Sequence, residues 1–370
     1  MHNLASAGRH PTIGMAVCAV EMRGDALDTA SAWGCQGDVL LGFEKCSRVG
    51  AERCYLVVMR TRRFGRLGFV ASELSLGTWG LSGEAYGAVY ETELERIVEL
   101  AQELGVTLFE TADVYGGGAM EKLLGDTLDL RTTQVVTKLG TVREAPARKC
   151  FDAAYLKDAL ARSHDRLKRE TIDVVLLHNP GVQVLREGDA IPFLREEQHA
   201  GRIVGWGVSA GSPEVARAAL DQSADVLELA YNLFTAKALH ELADRIAQTD
   251  TAVLARSVLA HGLLVGHWSP NKTFFPHDHR SARWTPDALK YRISQLQAVR
   301  QMVGGEVLTM RGAALRFVLS NQVVSSAVLG VRSQTQLRQL VREVGEGPGY
   351  LPDDVLSALP EWLQKAGVEL

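Results

Sequence analysis

The strongest constraint on the fold of this chain is a repeated alternation of short apolar runs with amphipathic stretches, which continues from about residue 70 to the C-terminus. Runs rich in Val, Leu and Ile are typical of parallel strands buried on both faces. Eight strand–helix repeats predict an α/β fold, a closed (β/α)8 barrel of the TIM type. The predicted strands are residues 74–78, 106–110, 134–138, 173–178, 203–209, 226–230, 252–255 and 325–329.

Helix-end signals support this alternation. Gly105 follows the helical pattern of residues 90–104, and glycine commonly ends a helix. Ser212 and Pro213 suit the N-cap and first position of the helix after the fifth strand. A doubly wound open sheet is disfavoured, because no GxGxxG motif follows the first strand. The other predicted helices are residues 120–128, 153–168, 190–200 and 333–344.

The pattern changes near Met59. Residues 63–70, with glycine at the turn, predict an N-terminal β-hairpin ahead of the barrel. Residues 1–58 lack a sustained hydrophobic period, so they are interpreted as a poorly patterned N-terminal extension. We expect this extension to be disordered or dispensable, or to be an upstream segment that precedes the true start. Residues 59–370 are then the barrel domain.

Composition and cysteine usage narrow the partners and the compartment. A net charge of −4 with mixed signs gives no reason to expect nucleic acid or an anionic membrane as a partner. Five widely spaced cysteines without a CxxC pair disfavour disulfides and zinc, so a cytoplasmic location is predicted. Residues 13–20 look like a short signal segment, but Glu21 follows at once and disfavours export.

Four polar side chains fall where predicted strands end or just beyond. Glu110, Lys138 and His178 close the second, third and fourth strands, and Tyr115 follows the second strand in a glycine-rich loop. The C-terminal ends of barrel strands meet at one rim, so an acid, a phenol, an ammonium and an imidazole gather there. Each residue alone is more often structural, but the ordered set favours proton-transfer catalysis.

Six ordered motifs give a resemblance to a known family. The segments that carry it are FETADVYG at 109–116, VTK at 136–138, LLH at 176–178, GWGVS at 205–209, AYNL at 230–233, and GVRS at 330–333 with Gln336 and Leu337. Together they resemble the aldo-keto reductase superfamily from about residue 60 onward. The resemblance implies a barrel that binds NAD(P)(H) across its C-terminal mouth and an oxidoreductase that interconverts an aldehyde or ketone with an alcohol.

The resemblance also implies roles for the four residues. Tyr115 matches the general acid, and Lys138 is expected to lower its pKa because an adjacent cation favours the phenolate. His178 is expected to orient the carbonyl and share its developing charge. Glu110 stands where the family usually has Asp, so its carboxylate reaches one methylene further. Asp113 does not replace it easily, since it lies in the loop and not at the strand end.

Cofactor residues follow from the same motifs. Arg332 and Ser333 begin the last helix, where they are expected to hold the 2′-phosphate or pyrophosphate of NADP(H), with NAD(H) as an alternative. Arg256 falls where a planar side chain often stacks on the nicotinamide. The remaining implied contacts are Ser209, Glu228, Ser257, Leu259, Gly330 and Gln336. Three positions depart from the family pattern: Ala210, Glu228 and Leu340 stand where Asn, Gln and Asn are common.

Two other functions stay open. One is a cofactor-binding regulatory barrel with weak or no turnover, which Glu110 and the three departures suggest. The other is a metal-dependent hydrolase, but residues 274–280 supply only two histidines, at i and i+2, so no metal site is predicted. Trp79, Trp206 and residues 274–280 suggest a partly hydrophobic pocket for a small carbonyl or alcohol substrate, although Trp206 could equally belong to the core. The oligomeric state and the physiological substrate are not determined by the sequence.

Overall fold

The computed structural model describes residues 59–143, 148–345 and 349–369. The predicted extension, residues 1–58, lies outside the described residues and stays a prediction. The strands are β1 Thr61–Arg63, β2 Val70–Ser72, β3 Leu74–Gly77, β4 Leu108–Glu110, β5 Gln134–Leu139, β6 Thr141–Val142, β7 Arg148–Lys149, β8 Ile172–His178, β9 Ile203–Ser209, β10 Val226–Ala230, β11 Ala252–Arg256 and β12 Ser326–Gly330.

The helices of the described chain surround these strands. They are α1 Glu91–Glu103, α2 Ala119–Thr127, α3 Ala153–Leu167, α4 Val182–Glu187, α5 Ala190–His199, α6 Pro213–Asp221, α7 Lys237–Thr249, α8 His279–Arg283, α9 Pro286–Ala298, α10 Met310–Ser320, α11 Gln334–Gly345 and α12 Asp353–Lys365. Ser212 caps α6 by accepting a hydrogen bond from the backbone N–H of Val215, as the sequence predicts.

Eight parallel strands close into a barrel in the order β10-β11-β12-β3-β4-β5-β8-β9, so the predicted (β/α)8 fold is confirmed. The strand register sets the C-terminal ends of the strands at one rim. Lys138 pairs with Leu176, and His178 pairs with Ser209, across neighbouring strands. Among the described residues, no helix has both the length and the apolarity needed to cross a bilayer.

The predicted N-terminal hairpin closes the opposite end of the barrel. Strands β1 and β2 pair antiparallel, and the turn between them inserts Phe64, which is fully buried and stacks on Phe69 with 4.8 Å between ring centroids. Phe64 belongs to the apolar cluster that fills the barrel, together with Leu108, Val136 and other inward-facing residues. Gly65 has a φ of +52°, and a Cβ there would lie 2.6 Å from the backbone nitrogen of Ala252. The turn therefore requires glycine.

Several elements depart from the expected pattern. A small antiparallel hairpin of β6 and β7 follows β5 at the open rim, where Thr141 pairs with Lys149. Helix α10 has nine buried residues out of eleven, so its sequence lacks the polar face that reveals an amphipathic helix. Helices α8 and α9 lie between β11 and α10 in a long connection on the open side of the barrel.

Candidate active site

The open rim of the barrel surrounds a cleft of about 1120 Å³. Twelve of the thirteen residues that the sequence points to line this cleft, and Ser333 is the exception. The lining residues of this set are Glu110, Tyr115, Lys138, His178, Ser209, Glu228, Arg256, Ser257, Leu259, Gly330, Arg332 and Gln336. They converge because most stand at or just beyond the C-terminal ends of barrel strands.

Lys138 is the centre of a buried charge cluster. Its Nζ forms an ion pair with Glu110 and lies 3.5 Å from Oε1 of Glu228. The same ammonium donates hydrogen bonds to the hydroxyl of Tyr115 at 3.3 Å and to the carbonyl oxygen of Thr111 at 3.1 Å. Lys138, Glu110 and Glu228 are at most 4% exposed. Glu228, which stands on β10 across the barrel mouth, thus joins the four residues expected to act together.

The electrostatics of the cluster correct one expectation. Burial raises the pKa of Tyr115, and the negative charge of Glu228 raises it further, while Arg256 opposes the rise. The pKa of Tyr115 is thus raised and not lowered as expected, so the phenol stays protonated at neutral pH. Burial lowers the pKa of Lys138 to about 8, with Glu228 opposing and Arg256 reinforcing this shift. The ammonium form is therefore still favoured at neutral pH.

His178 faces Tyr115 with its ring at 87° to the phenol and 5.9 Å between ring centroids. Burial lowers its pKa to about 2, and the positive charges of Lys138, Lys149 and Arg256 act in the same direction. The imidazole is therefore neutral, with one N–H to donate. Its Nδ1 is buried and has no hydrogen-bond partner among the described residues.

The backbone around Tyr115 is fixed by a glycine-rich turn and by the start of helix α2. Tyr115 begins a tight turn, Tyr115–Gly118, in which Gly116, Gly117 and Gly118 all have positive φ, so glycine suits each position. Helix α2 starts immediately after the turn. Its fully buried Glu121 accepts hydrogen bonds from Thr137 at 2.5 Å and from Nε of Arg166 at 2.7 Å. These contacts fix the start of α2 against β5 and α3.

Asp113 lies beside this turn. Burial raises its pKa to about 7, and the negative charge of Glu121 contributes to the rise. Its Oδ1 has no hydrogen-bond partner among the described residues. Asp113 makes no ion pair with Lys138 in the structure, which agrees with the expectation that it does not replace Glu110.

Several of the residues expected to contact a cofactor stand at or just beyond the C-terminal ends of β11 and β12. Arg256 is the last residue of β11 and donates to the carbonyl oxygen of Ala210 at 3.1 Å. Ser257 has a φ of +57°, and Ala260, His261 and Gly262 also have positive φ in the turn that follows. This segment therefore forms a tight turn beside the cleft, which Ser257, Leu259 and His261 line.

The start of α11 is partly capped by side chains. Gln336 accepts a hydrogen bond from the backbone N–H of Arg332 at 2.9 Å, and Ser333 accepts one from the N–H of Gln336 at 3.3 Å. Glu93 accepts one from the N–H of Gln334 at 3.0 Å. Some N–H groups that the sequence offers to a phosphate are thus already bonded. The guanidinium of Arg332 donates to the carbonyl oxygens of Gly87 and Ala88, at 3.0 and 2.9 Å.

Sequence reasoning missed several cleft residues, among them Tyr86 and His261. Aromatic contacts join the loop after β3 to the start of α8: Trp79 and Tyr86 both pack edge-on against His279, at 4.8 and 4.7 Å between centroids. The backbone N–H of His279 also donates to the carbonyl oxygen of Ala85 at 2.9 Å. Tyr86 and His261 line the cleft but belong to no recognised motif, and only their position after strand ends could have identified them.

Two expectations about the pocket are refined by the structure. Trp79 lines the cleft, whereas Trp206 is 2% exposed and packs in the core. Asp278, in the segment that is rich in His and Asp, accepts hydrogen bonds from Arg280 and caps α8. Across the described part of the chain, no three His, Cys, Asp or Glu side chains are grouped as metal ligands.

Comparison with known proteins identifies the family. The model of the Aldo/keto reductase family matches residues 73–346, so the chain belongs to this family of oxidoreductases. A pyridoxal 4-dehydrogenase from Microbacterium luteolum is 26% identical over 326 residues, covering 78% of this chain and 93% of the relative. An uncharacterized oxidoreductase from Bacillus subtilis is 27% identical over 293 residues, covering 77% and 90%.

Solved structures share the fold. The glycerol dehydrogenase from Gluconobacter oxydans superposes with a TM-score of 0.71 at 24% identity, covering 84% of this chain and 96% of that one. The holo form of an aldo-keto reductase from Bacillus halodurans gives a TM-score of 0.69 at 22% identity, covering 84% and 97%. At these identities the likeness concerns the barrel itself.

Proposed function

We propose that this protein is an NADP(H)-dependent oxidoreductase that interconverts an aldehyde or ketone with the corresponding alcohol. The observation that carries the proposal is the hydrogen bond of 3.3 Å from Nζ of Lys138 to the hydroxyl of Tyr115, beside a neutral His178 in the same cleft. A phenol that is protonated, next to a buried cation and an imidazole donor, is suited to act as a general acid toward a carbonyl oxygen.

In the proposed reaction, the cleft residues named below would hold a reduced nicotinamide, which would supply the hydride for the carbonyl carbon. Tyr115 donates its phenolic proton to the carbonyl oxygen, which becomes the alcohol hydroxyl. The raised pKa of Tyr115 keeps the proton on the phenol until that step, and the Lys138 ammonium stabilises the phenolate that remains. His178 donates a hydrogen bond that orients the carbonyl and shares its negative charge. The reverse sequence oxidises an alcohol.

The cleft residues fit a dinucleotide. Arg256 and Arg332 supply cations, and neither forms an ion pair with a described carboxylate within the cleft. Oε2 of Glu228 is buried without a hydrogen-bond partner among the described residues, so it can accept from a carboxamide N–H. We propose that Ser209, Arg256, Ser257, Leu259, Gly330 and Gln336 also contact the cofactor. NADP(H) is preferred in this proposal because of Arg332, and NAD(H) is the alternative.

A second candidate is a cofactor-binding regulatory barrel with weak turnover. It is favoured by the second carboxylate, Glu228, because that charge raises the pKa of Tyr115 and makes the phenol a weaker acid. The family relatives that are named as dehydrogenases favour the enzyme. A cytoplasmic location also stays a proposal, and it rests on the odd and scattered cysteines.

Replacement of Tyr115 by Phe tests the enzyme directly. The change removes one hydroxyl, so we expect NADPH binding to survive while the rate of aldehyde reduction falls by about 10²-fold or more. Oxidation of NADPH in the presence of a panel of aldehydes measures the rate, and fluorescence titration measures binding of NADPH and NADH. Tyr90→Phe is the matched control, since Tyr90 is 87% exposed. Full activity of Tyr115→Phe on every substrate would show that another group donates the proton.

A further inference from the structure

The cations of the cleft differ in whether a carboxylate neutralises them. Lys138 pairs with Glu110, Arg143 with Glu84, and Arg311 with Glu343. Lys149 also lines the cleft, but no described carboxylate lies within 4 Å of its Nζ. Among the described residues, its positive charge therefore has no ion-pair partner in the cleft.

The position of this charge is fixed by neutral groups. Nζ of Lys149 donates to the carbonyl oxygen of His178 at 2.6 Å and to the hydroxyl of Thr141 at 2.7 Å. These two bonds hold the ammonium on the cleft wall beside His178 and leave one of its three N–H donors for a ligand. The short β6–β7 hairpin carries both Thr141 and Lys149, so the ammonium is placed by regular structure.

The electrostatic surroundings of His178 support an anionic ligand. The positive charges of Lys138, Lys149 and Arg256 all disfavour protonation of its imidazole. The acidic group whose charge affects the pKa of Lys149 is Asp113. The pKa of Asp113 is raised to about 7, so near neutral pH its carboxyl group carries only part of a negative charge. A substrate anion would therefore meet attraction on this side of the cleft.

We propose that Lys149 selects substrates in which the carbonyl is accompanied by an anionic oxygen group, a carboxylate or a phosphate, and that its ammonium pairs with that group. This inference rests on the proposed function, because it assumes that His178 and Tyr115 face the reacting carbonyl. An ammonium is a compact point charge that accepts either type of anion.

Matched substrates test the inference. The pair 4-carboxybenzaldehyde and 4-formylbenzamide differ in charge but little in shape, and glyceraldehyde 3-phosphate with glyceraldehyde forms the phosphate arm. With NADPH, we expect kcat/KM of the wild type to be higher for the anionic aldehyde than for its neutral partner, in whichever of the two pairs fits the cleft. Lys149→Met should raise KM for that anion by about tenfold or more and leave the neutral partner nearly unchanged. Lys149→Arg should restore most of the preference.

Lys157→Met is the matched control, because Lys157 is exposed on α3 and its substitution removes the same charge away from the cleft. The inference is overturned if the wild type prefers neither anion over its neutral partner. It is also overturned if Lys149→Met lowers kcat/KM equally for charged and neutral aldehydes. Reduction of neutral aldehydes would then still support the proposed function. If no aldehyde is reduced, calorimetric titration with 4-carboxybenzaldehyde and 4-formylbenzamide decides between the two ideas. The anion site is supported if the wild type binds 4-carboxybenzaldehyde more tightly than 4-formylbenzamide and Lys149→Met abolishes this difference. Equal binding of the two aldehydes by the wild type overturns it.

Discussion

At the scale of single residues, the buried ammonium of Lys138 is shared by two carboxylates on different strands. Glu110 comes from β4, which neighbours β5, whereas Glu228 comes from β10 on the other side of the mouth. Breaking one member of such a buried group is costly when the remaining charge has no other partner. Here each carboxylate partly compensates for loss of the other, so single substitutions should alter titration more than they alter folding.

Replacement of Glu110 by Gln removes the direct ion pair of Lys138. We expect the reduction rate to fall by about tenfold or more and its alkaline limit to move to lower pH, because Lys138 loses its proton more readily. Glu110→Asp keeps the charge and should retain most of the activity. Rate profiles against pH for the three proteins measure both effects. Identical profiles for Glu110→Gln and the wild type would exclude Glu110 from the site.

Replacement of Glu228 by Gln should shift the pH profile in a defined direction. The carboxylate of Glu228 raises the pKa of both Lys138 and Tyr115, so its removal lowers both, and Lys138 falls below its value of about 8. The alkaline limb of the rate profile should therefore move to lower pH by about one unit. Glu84→Gln is the control, because Glu84 lines the cleft but pairs with Arg143. An unshifted profile would mean that Glu228 does not influence the titrating groups.

The sequence predicts part of this site and misses the rest for a physical reason. Glu110, Lys138 and His178 are each preceded by an apolar run, so their strand-end positions can be read locally. The approach of Glu228 to Lys138 depends on how the barrel closes, and no local pattern encodes it. The net pKa of Tyr115 is likewise a result of burial, which a nearby cation in the sequence does not reveal.

At the scale of elements, the β1–β2 hairpin should contribute stability without contributing to chemistry. Phe64 is fully buried inside the closed end of the barrel, so Phe64→Ala should lower the free energy of unfolding by about 3–5 kcal/mol. Urea unfolding measures this loss, and the rate of aldehyde reduction by the folded protein should stay near that of the wild type. Phe275→Ala is the control, since Phe275 is 73% exposed. Equal stability of both variants would show that the hairpin does not stabilise the closed end of the barrel.

Two apolar strands and one amphipathic helix show how closely the sequence predicts some elements. Strands β9 and β10 have the predicted bounds, and α1 differs from its predicted range by one residue at each end. Helix α10 was missed because it is buried almost all round, and a short apolar helix of that kind cannot be told from a strand by periodicity. The β6–β7 hairpin was missed because strands of two residues have no period at all.

At the scale of the whole molecule, we expect a chain shortened to residues 59–370 to fold by itself. The described residues from Met59 onward include the β1–β2 hairpin, the closed barrel and its surrounding helices. The shortened protein should therefore melt within a few degrees of the full chain and reduce aldehydes at the same rate. Circular dichroism during heating and the NADPH assay measure these properties. Clear loss of solubility or a much lower melting temperature would show that residues 1–58 stabilise the barrel.

The sealed end and the open rim of the barrel perform separate tasks. The hairpin and the inward-facing residues close one end, while the cleft is built from loops and strand ends at the other. Loops at the open rim can thus change sequence and length during evolution without opening the sealed end. Selection can diversify substrate range on such a scaffold while the inherited barrel persists.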